Sequence, residues 1–233
     1  MNDRGLHDLG EDATGFGRME ARTVWEMLAR PATVLEAYMS GGPTGHGQYT
    51  RPLRLYLALC GVMMVILFLI GGAGEMMLGD MPEEALAPLL EGSGKSRDAF
   101  MADADGWMSL VMVPLLSALY ALASAPLLRW WDPEDLGWRK SFRATFAFLN
   151  AWTIPLIPFT WMAYDRRYAA LSLALMIVLS IVAFLRTGKG RWYASTLEGV
   201  GKSLVMALAV MVAATLGSFP VVAIGILGGV MAP

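Results

Sequence analysis

LYLALCGVMMVILFLIGGAG, residues 55–74, runs for twenty residues without a charged side chain. A helix needs about 17–25 such residues to cross a hydrocarbon layer about 30 Å thick, and backbone in lipid must satisfy its own hydrogen bonds within the segment. The run therefore reads as a transmembrane helix. Four more uncharged runs follow, at 106–128, 144–164, 168–185 and 203–233. Composition points the same way: 56% of residues are apolar and 16% charged, against about 45–50% and 25% in soluble domains. The short alternating segments of a barrel strand are absent. The expected fold is an all-α integral membrane protein, a five-helix bundle with spans near 53–72, 107–128, 143–164, 168–186 and 203–231. Residues 51–233 form the membrane domain in this reading. Residues 1–50 are a separate segment, too short for a soluble domain with its own core.

The basic residues set an orientation, because Lys and Arg are retained on the cytoplasmic side of short loops. Fourteen of the 18 fall before span one, between spans two and three, or between spans four and five. Only Lys95, Arg97, Arg166 and Arg167 fall on the other face. The expectation is N-terminus inside and C-terminus outside. The first outer loop, 75–105, carries eight acids against two bases, which an outside location tolerates.

Residues 1–17 are polar and Gly-rich without an apolar stretch, so no cleavable signal is expected and the first span acts as its own insertion signal. Cys60, the single cysteine, lies within that span, which excludes an intramolecular disulfide or a cysteine-based metal site. Arg exceeds Lys by 14 to 4, the usage of a GC-rich bacterial genome, and this makes a bacterial inner membrane the expected address. No cofactor fingerprint, metal-ligand spacing or nucleic-acid-binding run is present. His7 and His46 stand alone in Gly-rich stretches.

Ahead of the first span, Thr23 and Glu26 have the spacing of a capping box, and Val24 and Leu28 repeat on one face with Trp25 beside them. Pro31 breaks or restarts this helix, and Val34, Leu35, Tyr38 and Met39 recur until Gly41 and Gly42. Two short amphipathic helices near 20–40 are expected at the cytoplasmic interface.

The stretch TVWEMLARPATVLEAYMSGGPTGHGQYTRPLRLYLAL, 23–59, resembles the lead segment of an uncharacterised bacterial family of multi-span membrane proteins, a domain of unknown function. There a helix ending in a basic-Pro step precedes a Tyr-Gly-rich turn and the first span. The matching positions are Leu28, Arg30, Pro31, Tyr38, Gly41, Tyr49, Pro52 and Leu53, with weaker continuation at 113–122 and 142–148. Relatives often begin with a zinc ribbon and often carry His at the start of span three. This chain lacks the ribbon and has Arg143 and Ala144 there. Five spans with the N-terminus inside are also similar in topology to the Yip family of membrane-trafficking proteins. The resemblance implies a membrane fold and no particular activity.

Within the spans, Asn150 is the strongest polar group, with Pro155 and Pro158 a turn or two beyond. These residues either shape a pocket with Thr153, Thr160 and Trp161, or Asn150 is an interhelical hydrogen bond and the prolines mould the bundle. The fifth run of 31 residues is too long for one perpendicular crossing. Either it breaks at 217–220 around Pro220, as in transporters with unwound midpoints, or it is a single tilted, kinked helix. Gly225 and Gly229 form a GxxxG packing face. Asp132, Pro133, Glu134 and Asp135 read as the N-cap and first turn of a short helix rather than a cation site. Trp130, Trp131 and Trp138 read as an aromatic belt. Arg186, Lys189, Arg191 and Trp192 form a basic, aromatic loop expected to touch anionic lipid.

The expected function is a non-catalytic scaffold or accessory subunit of a membrane complex. Its partners are the lipid bilayer and other membrane proteins or a second copy of itself. The alternative is a small-molecule or lipid transporter using kinked spans three and five.

Overall fold

A computed structural model describes residues 17–79, 81–134, 136–164 and 166–232. Among them are nine α-helices and no strand. In chain order the helices are α1 (Arg18–Ala29), α2 (Pro31–Ser40), α3 (Pro52–Ile70), α4 (Gly72–Leu78), α5 (Glu83–Ser93), α6 (Arg97–Trp131), α7 (Trp138–Leu156), α8 (Ala169–Gly188) and α9 (Thr196–Met231). Helices α3, α6, α8 and α9 are long and apolar enough to cross a membrane. The chain is a multi-pass α-helical membrane protein. Leu110, Leu171, Val178, Leu208 and Phe219 stand exposed on these helices, a belt that water would penalise and that acyl chains solvate.

The framework is the antiparallel pair α6 and α9, which share the most extensive contact in the fold. At 35 and 36 residues they reach about 52 and 54 Å at 1.5 Å per residue, well beyond one hydrocarbon thickness. Lipid tails are as apolar as leucine, so such helices gain by approaching closely through small residues. The glycines of α9 do this: an added Cβ would come within 2.5 Å of Leu116 at Gly217, 2.3 Å of Met108 at Gly225 and 2.8 Å of Phe100 at Gly229. Of the two sequence readings of the fifth run, the structure shows the unbroken one. Pro220 lies inside α9 without interrupting it, because α6 supports both halves.

The third expected span differs from its reading. Its helix, α7, begins earlier, at Trp138, and ends at Leu156, and residues Ile157–Tyr164 continue as a 3-10 helix. Pro155 and Pro158 each lack an N–H for the α-helical ladder, and the tighter winding is the local consequence. α7 is the hub of the bundle, contacting α1, α2, α3, α6 and α8, with twelve buried residues from Ser141 to Ile154.

The segment before the membrane packs one face into the protein core. Met27, Val34, Leu35, Tyr38, Met39 and Tyr49 belong to the same buried cluster as Phe148 and Phe184. Helix α1 starts at Arg18, so the N-cap is Gly17, and only the return half of a capping box is made: the Glu20 carboxylate accepts from Gly17 N–H at 3.0 Å. Thr23, expected as the cap, is interior: its hydroxyl donates to Met19 O at 2.7 Å and accepts from Thr50 N–H at 3.1 Å. Met27 is buried and Val24 half-buried, while Leu28 and Trp25 point outward, Trp25 at 68% exposure. Pro31 occupies the first turn of α2, where its missing N–H costs nothing.

At the other end, α4, α5, the start of α6 and the end of α9 enclose a second cluster around Leu78, Leu86, Phe100 and Met108. Gly72, at φ 81°, lies so close to Asp105 that a Cβ would fall 2.5 Å from its Oδ1. That approach lets the Asp105 carboxylate accept from Gly74 N–H at 2.8 Å at the start of α4. Lys95 Nζ ties the end of α9, donating to Asp103 at 2.6 Å and to Gly229 O at 3.0 Å.

Candidate functional site: a membrane cavity and a polar junction

Between the two buried clusters the bundle leaves a cavity of about 260 Å³, bounded by α3, α4, α6, α7 with its 3-10 extension, and α8. The narrow 3-10 segment occupies less width than an α-helix, and Tyr120 and Trp152 wall the space on one side with ring centroids 6.2 Å apart. Trp152 is held by its Nε1–H, which donates to Met176 O at 3.1 Å. Five methionines line the space, Met63, Met64, Met76, Met112 and Met176. Its polar groups are uncharged: Tyr56, Ser117, Tyr120, Thr153, Thr160 and Ser172, and Cys60 also lines it.

Thr153 and Thr160 line this cavity as one sequence reading supposed, but Asn150, Trp161 and Pro220 do not. Trp161 is exposed beside Tyr168. Helix α9 contributes no lining residue, so spans three and five do not jointly form it. Asn150 lies at the entry to α3: its Nδ2 donates to Pro52 O at 2.9 Å, while its Oδ1 is buried without a partner. This is an inter-element tie, worth about 1 kcal/mol. Asn150→Ala should therefore cost about 1 kcal/mol of stability, read as a small fall in Tm by thermal unfolding of the purified protein in mild detergent. An unchanged Tm would remove the structural role.

The second constellation lies where α1 and α2 meet the bundle. Asp132 does not cap a helix start; it follows α6, and the next helix begins six residues later at Trp138 behind Gly137. Its carboxylate, fully buried, receives Arg191 through Nε at 2.5 Å and Nη2 at 2.9 Å, and also accepts from Glu134 N–H at 3.0 Å. Arg191, at 10% side-chain exposure, reaches Glu36 at 3.1 Å and Glu134 at 3.2 Å as well. The guanidinium of Arg191 holds the Glu134 carboxyl below the usual carboxylate range. Asp135 lies outside the described residues.

Of the loop expected to meet anionic lipid, Lys189 is exposed. Trp192 is fully buried beside Phe184, with centroids 5.3 Å apart, and Trp131 closes on the same ring at 5.6 Å. Arg186 donates to Leu28 O and Ala29 O, satisfying the carbonyl end of α1 where a cation is favoured. Arg143 donates to Tyr38 O at 2.7 Å, and Arg54 pairs with Glu20 at 3.2 Å. The Tyr38 hydroxyl donates to Thr50 O at 2.6 Å, and burial pushes its pKa above the ordinary phenol value. Among the described residues no His, Cys, Asp and Glu gather as a metal site.

No protein family, curated protein or solved structure matches this chain. The resemblance drawn above rests on its quoted residues.

Sequence reading placed Thr153 and Thr160 in a pocket but missed its methionine wall and the Asp132–Arg191 pair. The methionines sit in runs that look uniformly lipid-facing, and the Asp132–Arg191 pair is separated by 59 residues. No local pattern joins them.

Proposed function

We propose that this chain is a non-catalytic inner-membrane scaffold or accessory subunit with five crossings, N-terminus inside and C-terminus outside. The observation that carries the reading is where its ionic groups go. Arg54, Arg143, Arg186 and Arg191 each hold α1, α2 or their connections onto the bundle, so the charged chemistry serves to build a fixed platform on one face. The outward face of α1, with Met19 and Trp25 exposed, is what that platform offers to other membrane components.

The fifth crossing is supported by length. From Asn150, level with the start of α3, seven helical residues and eight 3-10 residues extend about 26 Å, and the 3-10 segment meets α4 beyond the far end of α3. The split of basic residues supports the orientation. Alkaline phosphatase fused at the C-terminus should be active, and fused near Gly188 it should be inactive; the reverse pattern would overturn the orientation. Copurification from mild detergent tests the role itself. Recovery of the same membrane protein with the intact chain, lost on Trp25→Ala, is the expected result. Recovery of no partner, or partners indifferent to Trp25, would overturn it.

A further inference from the structure

We propose that the methionine-lined cavity holds one acyl chain of a membrane phospholipid, entering sideways from the bilayer past Phe159 while the headgroup stays outside. The inference goes beyond the accessory role and does not depend on it. Phe159 lines the cavity and is also 41% exposed, so a single side chain stands between the space and the outer surface of the bundle. No charged side chain lines it, so nothing there would pair with a headgroup or a charged solute. Size fits a chain segment. A cavity of about 150 Å³ accepts benzene, and at roughly 30 Å³ per methylene, about the share of a liquid water, this one of about 260 Å³ has room for about eight or nine methylenes.

The lining chemistry favours a flexible occupant over a rigid one. Methionine side chains are unbranched and polarizable and re-pack around variable apolar shapes. Because lipid is already apolar, the drive is not water release but dispersion contact, which an empty cavity forfeits along its whole wall. Collapse is the other way to recover that contact. It is opposed by Trp152, pinned to α8, and by the 3-10 segment, whose path the two prolines set.

The test uses the full-length protein in phosphatidylcholine nanodiscs containing a small fraction of phosphatidylcholine with a diazirine near the middle of one acyl chain. After irradiation, labelled residues are mapped by peptide mass spectrometry. The label should concentrate several-fold on Met63, Met112 and Met176 relative to the more exposed belt residues Val65 and Leu208. Ser172→Phe and Ser117→Leu, which fill the cavity from different helices, should each cut that labelling about fivefold or more. Leu173→Phe, on the lipid side of α8, should leave it unchanged. If one filled variant fails to fold, the other and the wild-type map still decide. Labelling that simply follows exposure, or that persists in a folded filled variant, would overturn the proposal.

Discussion

Arg191→Leu should destabilise this protein by about 3–5 kcal/mol, the range seen when one partner of a buried ion pair is removed. The Asp132 carboxylate is fully buried and accepts two hydrogen bonds from Arg191. Losing the guanidinium leaves that charge without compensation, while Glu36 and Glu134, both largely exposed, rehydrate at little cost. Arg191→Lys should recover only part of the loss, since an ammonium cannot reproduce the bidentate fork. The double substitution Asp132→Leu with Arg191→Leu should be closer to wild type than Arg191→Leu alone, because no buried charge remains. Thermal unfolding in detergent measures all three. A single variant as stable as wild type would mean the pair is dispensable and Arg191 is free to serve another role, including the lipid contact read from sequence.

Gly225→Val should weaken the α6–α9 seam by about 1–3 kcal/mol or more, the cost of forcing extra methylenes into a packed interface. A Cβ at Gly225 would lie 2.3 Å from Met108 Cε and 2.5 Å from its Cγ, and Met108 has no exposed surface into which to retreat. The helices must separate, and with them the far-side cluster that includes Phe100 and Leu86. The expected readouts are a large fall in Tm and low abundance in the membrane. Gly201→Ala, on the same helix at a glycine with open space around it, should be neutral. Equal stability of the two variants would show that the seam tolerates separation.

Much of this molecule is legible in one dimension. An uncharged run of twenty residues has few options in a protein, because backbone polar groups in lipid require a helix and charge in lipid is excluded. That is why α3, α6, α8 and α9 are readable directly, and why the small residues at Gly225 and Gly229 announce a close helix contact. Pro31 and Pro155 are equally local, each removing one N–H wherever the chain goes.

What the chain does with its extra-membrane charges was decided only in three dimensions. Arg191 and Trp192 read as a lipid-facing loop because polarity along a sequence cannot say which side of a turn meets protein. Their partners, Asp132, Glu36 and Phe184, come from α2, the end of α6 and α8. Helices α1 and α2 show the same limit: an amphipathic face is satisfied equally by a membrane and by a neighbouring helix, and only the tertiary structure shows which of their residues pack on the bundle. The cavity exists because α7 tightens after Leu156 while the other helices around it keep their spacing. The sequence determined the segments, the hydrocarbon environment and the sites of winding change, since each follows from the chemistry of nearby residues. Tertiary structure alone decided which charges are buried together and where space is left, since both depend on residues dozens of positions apart meeting at one place.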